Sequence, residues 1–237
     1  MKLSRNLLLL FLACGSLFAQ RDLDERDRPR VAYVSRVLDD VQHTWDRELA
    51  PMTGTPYHHA KLDLFRNKMT SGCGPAKSLT GPFYCPADEK VYLDLGFFDE
   101  LRSRFGARGD FAQAYVIAHE LGHHIQKLLG IESKVHQDQD RHPRDRNELS
   151  VKLELQADCF AGAWAHSTKE RGILKEQDVD SALSAAAAVG DDHLQKMARG
   201  YSSPESFTHG SSAQRQGWFR KGFATGRIAS CNTFGTN

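Results

Sequence analysis

Residues 119–123 read His-Glu-Leu-Gly-His, a spacing that allows two histidines to act together on one helix. Residues four apart on an α-helix lie on the same face, so His119 and His123 can each give a ring nitrogen to one metal ion. Glu120 lies about 100° around the helix from His119, where it can reach a water on the metal but is poorly placed as a ligand. The pattern therefore predicts a zinc site that activates water for hydrolysis, with Glu120 as the general base.

The motif has to lie on a helix for this geometry to hold. Apolar residues at spacings of three and four predict a helix from Phe111 to Leu129, with Asp110 as its cap and Gly130 at its end. Gly122 costs about 1 kcal/mol inside a helix, which indicates close packing at that point. His124 is the competing ligand, but it points away from the first histidine, and we expect it to be packed or at the surface.

An acidic pair on a second predicted helix, Glu148 to Lys169, offers the third protein ligand that a zinc site needs. Glu154 and Asp158 are four apart and share one face of that helix. Such pairs usually mark a solvated face. We favour the alternative, in which Glu154 binds the metal and Asp158 accepts a hydrogen bond from a ligating imidazole, because that bond fixes the tautomer of the ring.

Four segments of the chain, taken in order, resemble the bacterial family described as "putative neutral zinc metallopeptidase". They are HELGHHIQ at 119–126, ELQADCFAGAWA at 154–165, AAAAVGDDHLQ at 185–195 and SFTHGSSAQRQGWF at 206–219. The resemblance covers the chain from about residue 30 to the C-terminus. It implies a gluzincin-type zincin domain that binds one zinc ion per chain through His119, His123 and Glu154, with Glu120 as a catalytic residue.

The last of these segments contains a further candidate catalytic residue. Thr208 and His209, followed by Arg215, resemble a T-H-x-x-x-x-x-R element of membrane-associated gluzincins. We expect His209 to donate a hydrogen bond to the oxyanion that develops during hydrolysis. The alternative is that His209 caps or braces the following helix. Tyr92 and Tyr115 are weaker candidates for the same donor.

The rest of the chain predicts the scaffold. Apolar spacing predicts helices at Val31 to Leu49, Asp178 to Val189 and Ser211 to Thr225, and alternation predicts a half-buried strand at Lys90 to Leu95. Zincins hold the substrate backbone along an edge strand near the metal, and this strand is the best candidate for that edge. An ordinary structural strand is the alternative. Together the elements predict an α+β fold, mainly helical, with a small β-sheet.

The N-terminus has the three regions of a cleavable signal. Met1 to Ala19 contains basic residues, the apolar run Leu7 to Ala13, and small residues before the polar Gln20. The apolar run is too short to span a bilayer. We therefore expect cleavage after Ala19 and a secreted or periplasmic chain without a stable membrane span, whereas members of the family often carry a membrane anchor. Lipid attachment at Cys14 is the alternative.

Charge and length are consistent with one exported domain. We divide the chain into a signal peptide at 1–19, a charged and solvated lead-in at 20–30, and a zinc metallopeptidase domain at 31–237. The charge-rich residues 133–147 are expected to form a mobile loop between the two metal-binding helices. The formal net charge of +1 gives no reason to expect binding of nucleic acid or of an anionic membrane. The expected partner is a protein or peptide substrate.

Four cysteines remain once Cys14 is set aside, and four cysteines allow three patterns of disulfide pairing. The family pattern, together with proximity, implies the pairs Cys73–Cys85 and Cys159–Cys231. A zinc–cysteine cluster is the competing interpretation, but no C-x₂₋₄-C spacing supports it. An oxidising compartment favours disulfides.

The favoured function is that of an exported zinc-dependent endopeptidase with a zinc-activated water and Glu120 as the general base. One alternative is a non-catalytic zinc-binding adaptor that keeps the zincin fold. Glu120 argues against it, because loss of this base is the simplest way to disable such a site. The other alternative is hydrolysis of a cell-wall amide.

Overall fold

The computed structural model describes residues 25–77, 81–103 and 109–235. The predicted signal peptide at 1–19, with Cys14, lies outside these residues. None of the helices in the described ranges is both long and apolar enough to cross a membrane.

The predicted fold, α+β and mainly helical with a small sheet, is confirmed. The α-helices of the described residues are α1 Arg28–Thr53, α2 Leu95–Ser103, α3 Asp110–Leu128, α4 Ile131–Arg141, α5 Arg146–Glu170, α6 Glu176–Ala188, α7 Asp191–Arg199 and α8 Ser212–Thr225. The strands are β1 Lys61–Phe65, β2 Lys68–Ser71, β3 Gly74–Lys77, β4 Phe83–Cys85 and β5 Lys90–Asp94.

Helix α3 lies in the helical core and is buried over most of its length, including several polar residues as well as its apolar ones. It packs against α1, α5 and α6. A Cβ atom on Gly122 would lie only 2.9 Å from Cα of Ala157, so this glycine lets α3 and α5 approach closely. The predicted close packing at Gly122 is confirmed, and it brings the two helices with the candidate ligands together.

Helices α5 and α8 make the closest backbone contact. A Cβ atom on Gly222 would lie 1.9 Å from the carbonyl oxygen of Cys159, and one on Gly162 would lie 2.1 Å from that of Phe219. The disulfide Cys159–Cys231 ties the chain after α8 back to α5. The second disulfide, Cys73–Cys85, ties the β2–β3 hairpin to β4. Both pairs are those that the family pattern and proximity implied.

The strand predicted at Lys90 to Leu95 is present as β5, but its favoured position at the sheet edge is wrong, and the alternative of an ordinary structural strand holds. The three-stranded sheet has the order β1-β5-β4, with β5 parallel to β1 and antiparallel to β4. Val91, Tyr92 and Leu93 are all buried, so β5 is covered on both faces as a central strand is. Among the described strands, β4 is the edge on the side of α3.

The loop predicted at 133–147 is also wrong, because α4 and a 3₁₀ turn at Pro143–Asp145 occupy most of it. Val135 and Gln139 are four apart and buried. The Gln139 amide donates to the carbonyl oxygen of Arg146 and to Ser150 Oγ at 2.9 Å. Only this narrow stripe is buried, so the polar composition of the segment concealed its helical period.

Two helix starts differ from prediction as well. The N-cap of α3 is Gly109, and Asp110 lies inside the helix without making a capping bond. Helix α1 begins at Arg28, within the expected solvated lead-in, and Asp27 just before it is buried. Its carboxylate accepts two hydrogen bonds from Arg66, at 2.6 and 2.8 Å, which anchors the start of α1 to the chain after β1.

Candidate metal centre

The three predicted ligands meet at one point between α3 and α5. One donor atom from each of His119, His123 and Glu154 lies within 4.8 Å of the others. Nε2 of His119 is 3.1 Å from Oε2 of Glu154, and Nε2 of His123 is 3.5 Å from Oε1. A tetrahedral zinc ion with bonds of about 2.0–2.2 Å separates its ligand atoms by roughly 3.3–3.5 Å, so the observed spacing fits zinc.

The hydrogen bonds of the outer ring nitrogens favour the same assignment. Nδ1 of His119 lies 2.9 Å from Oδ1 of Asp158, and Nδ1 of His123 lies 2.9 Å from Oε1 of Gln126. Both partners are oxygen acceptors, so each Nδ1 can hold a proton while Nε2 stays available to bind a metal ion at the common point. Two imidazoles in this tautomer and one carboxylate form a donor set that fits zinc.

The electrostatics of the group favour a cation. Burial lowers the pKa of His119, but the carboxylates of Asp158 and Glu154 outweigh it and raise that pKa to about 10. Burial likewise raises the pKa of Glu154, yet the facing imidazoles hold it well below its usual range. The point between these side chains is therefore negative enough to retain an extra proton, and a metal ion would take its place.

Asp158 lies where the sequence predicted, behind His119, and it has partners that the sequence did not identify. Its carboxylate is fully buried and accepts from Nε and Nη2 of Arg215 at 2.8 and 3.0 Å. The Tyr115 hydroxyl also donates to it. Burial would raise the pKa of Asp158, but the Arg215 and His119 groups hold it below its usual value. The second tyrosine candidate, Tyr92, lies elsewhere and donates to Asp88 at 2.6 Å.

The sequence reasoning also missed Gln126. Its amide donates to the carbonyl oxygen of Leu153 at 2.7 Å and to Oε1 of Gln156 at 3.1 Å, which turns its own oxygen toward His123. Gln126 lies three residues after His123 on the same helix, and this spacing could have identified it as a partner of that histidine. His124 is packed, as one of the two expectations had it, with its ring 2.8 Å from the Tyr84 hydroxyl.

A cavity of about 720 Å³ opens onto the candidate ligands. Edge strand β4 and the residues before it, Gly81 and Pro82, line one side, and α2, α4 and α5 contribute to the others. Glu120 faces this cavity and is 7% exposed, and its burial raises its pKa. His209, on the segment between α7 and α8, lines the same cavity, with its side chain 51% exposed.

Comparison with known proteins agrees with this geometry. Residues 17–234 match the family described as "Putative neutral zinc metallopeptidase". The chain belongs to this family. No solved structure matches it.

Two similar proteins have names that state no activity. The chain is 49% identical to "Uncharacterized protein YpfJ" of Escherichia coli K12 over 216 residues, which is 91% of this chain and 75% of that protein. It is 44% identical to "Uncharacterized protein Rv2575" of Mycobacterium tuberculosis H37Rv over 189 residues, or 75% of this chain and 63% of that protein.

Proposed function

We propose that this protein is an exported zinc-dependent endopeptidase. The observation that carries the proposal is the pair of imidazoles whose Nδ1 protons are held by Asp158 and Gln126, so that both Nε2 atoms face Glu154 beside an open cavity. When bound there, a zinc ion supplies a Lewis acid that polarises the scissile carbonyl and lowers the pKa of water to about 7.

Glu120 is the general base of the proposed reaction. It lies in the cavity next to both histidines, and its raised pKa makes its carboxylate a better proton acceptor than an exposed glutamate. It takes a proton from the attacking water and then gives it to the nitrogen of the leaving amine. His209 faces the same cavity and donates a hydrogen bond to the carbonyl oxygen as negative charge develops there.

The substrate backbone binds along β4 in this proposal. In the described sheet, β4 pairs with β5 on one side only, and its residues Phe83 and Tyr84 line the cavity. An extended peptide can therefore add to the free edge of β4 by backbone hydrogen bonds. This mode selects polypeptides in an extended conformation, and the side chains that line the cavity determine which residues are accepted.

Export is consistent with the two disulfides, which form and persist in oxidising compartments. The proposed partners are the peptide substrate and one zinc ion per chain.

The test is a cleavage profile of purified wild type and Glu120→Gln on a library of peptides from a digested proteome, read by mass spectrometry. Glu120→Gln keeps the size of the side chain but cannot accept the proton, so turnover should fall by about 10² to 10⁴-fold while bound zinc is unchanged. Glu148→Gln, at an exposed position of α5, is the matched control and should cleave as the wild type does.

Equal cleavage by wild type and Glu120→Gln would refute the mechanism. Zinc binding without cleavage of any peptide would favour the adaptor, and cleavage of cell-wall amides alone would favour the amidase.

A further inference from the structure

Gly190, Asp191 and Asp192 contact the segment that contains His209 through hydrogen bonds and close packing. Oδ2 of Asp191 accepts from the backbone N–H groups of Thr208, His209 and Gly210 at 2.7, 2.6 and 3.0 Å. The backbone N–H of Asp191 in turn donates to the carbonyl oxygen of Gly210 at 2.9 Å. Four hydrogen bonds thus fix this short segment to the first turn of α7.

A second aspartate and a close backbone contact hold the residues that follow His209. Oδ1 of Asp192 accepts from the backbone N–H and the hydroxyl of Ser212, at 2.7 and 2.8 Å. A Cβ atom on Gly190 would lie 2.5 Å from the backbone nitrogen of Ser212, so no larger residue fits there without a shift. Gly210 has φ of +92°, a conformation that other residues rarely adopt.

The two carboxylate oxygens of Asp191 have different partners. While Oδ2 holds the backbone, Oδ1 lies 3.3 Å from Nδ1 of His209, which is also 3.0 Å from the Thr208 hydroxyl. Both contacts engage Nδ1 and leave Nε2 as the outer nitrogen of a ring that lines the cavity. Asp191 is buried, whereas the His209 side chain is half exposed.

We propose that Asp191 is the positioning residue for His209, fixing its backbone through one oxygen and its ring through the other. Asp191 acts through the imidazole and touches no reacting atom. The inference rests on the proposed function, in which His209 donates to the developing oxyanion. A rigidly held donor contributes more to the transition state than one that must be ordered during the reaction.

Charge supports the same arrangement. The hydrogen bond to Asp191 raises the pKa of His209, against burial and the charge of Arg215 on α8, which both lower it. A carboxylate on Nδ1 thereby stabilises the ring with a proton on both nitrogens, which is the form that donates from Nε2.

A double-mutant cycle on zinc-loaded protein tests the inference, with kcat and KM measured on a peptide that the wild type cleaves. His209→Ala should lower kcat by about 10² to 10³-fold. Asp191→Asn keeps an oxygen for the backbone and should lower kcat by about 10 to 100-fold with KM little changed. In the His209→Ala background, Asp191→Asn should change kcat by less than about twofold, because the group through which it acts is absent.

The matched control is Asp180→Asn, which changes an exposed aspartate on α6 that is not part of the cavity or of the contacts to the His209 segment, and its kcat should stay close to that of wild type. Equal losses of kcat for Asp191→Asn in both backgrounds, or no loss in the wild-type background, would overturn the inference.

Nitrogen-15 NMR of wild-type protein gives a second readout that does not depend on catalytic activity. His209, assigned by its missing signals in His209→Ala, should show a protonated Nδ1 in a hydrogen bond, and an unprotonated Nδ1 would overturn the inference. If the wild type cleaves no peptide, the proposed function fails, and the NMR result still decides whether Asp191 holds the ring. If the wild type is active and the cycle is additive, only this inference fails.

Discussion

Replacement of Arg215 by methionine removes the donors that hold Asp158 in the core. The two side chains are 4% and 0% exposed, and the guanidinium meets the carboxylate with two hydrogen bonds of 2.8 and 3.0 Å. Removing one partner of a buried ion pair costs about 3–5 kcal/mol because the other charge is left uncompensated. Asp158 keeps bonds from Tyr115 and His119, so we expect a loss near the lower end, about 3 kcal/mol.

The measurement is urea unfolding at pH 7 of disulfide-intact protein in a chelator, so that loss of zinc binding does not enter the comparison. Folding lowers the pKa of Asp158. Its stabilising contribution is therefore fully present above the unfolded pKa of about 3.9 and is lost as the pH falls through the lower folded value. Neutral pH is thus where Arg215→Met should cost most.

Arg220→Met is the control, because Arg220 lies exposed on the same helix. It should change the free energy of unfolding by no more than about 0.5 kcal/mol. A loss below about 1 kcal/mol in Arg215→Met, with an unchanged dependence on urea, would refute the view that the ion pair of Arg215 and Asp158 stabilises the fold around His119.

Two further predictions concern the scaffold and the processing of the chain. Gly222→Ala places a methyl group 1.9 Å from the Cys159 carbonyl oxygen and should lower the free energy of unfolding by about 1–3 kcal/mol. Gly217→Ala, on the same helix, places its methyl group with nothing within 4 Å and should raise the free energy of unfolding by about 0.5–1 kcal/mol. Equal effects of the two substitutions would contradict the packing of α5 on α8. Intact-mass measurement of exported protein should show a chain that starts near Gln20 with no thiol open to alkylation before reduction, and an uncleaved start or four free thiols would contradict export with two disulfides.

The local part of the centre was predictable because its periods are helical. His119 and His123 follow one face of α3, so their spacing alone indicated that they could share a metal ion. Glu154 was inferred from its spacing to Asp158 and from the family resemblance, not from any pattern that shows α3 and α5 to be in contact. Arg215 comes from a helix 57 residues after Asp158, and no local pattern pairs a buried arginine with a particular carboxylate. Asp191 lies 18 residues before His209, and its role depends on how α7 contacts the segment before α8.

The errors have similar causes. Short strands such as β5 show the same alternation whether they lie at the edge or in the centre of a sheet, and the order of strands is a tertiary property. Helix α4 buries so little of its surface that its composition resembles that of a loop. In both cases the structure is decided by tertiary contacts with other parts of the chain, and the local sequence does not show those contacts.

Zinc content decides whether His119, His123 and Glu154 form a metal centre. Purified wild type, dialysed against metal-free buffer and measured by elemental analysis, should hold one zinc ion per chain. Glu154→Ala should lose it, and Glu148→Ala, at an exposed position six residues earlier on the same helix, should retain it. Full zinc occupancy in Glu154→Ala would remove this carboxylate from the ligands, and a wild-type protein that binds no zinc would contradict the proposed function as a whole.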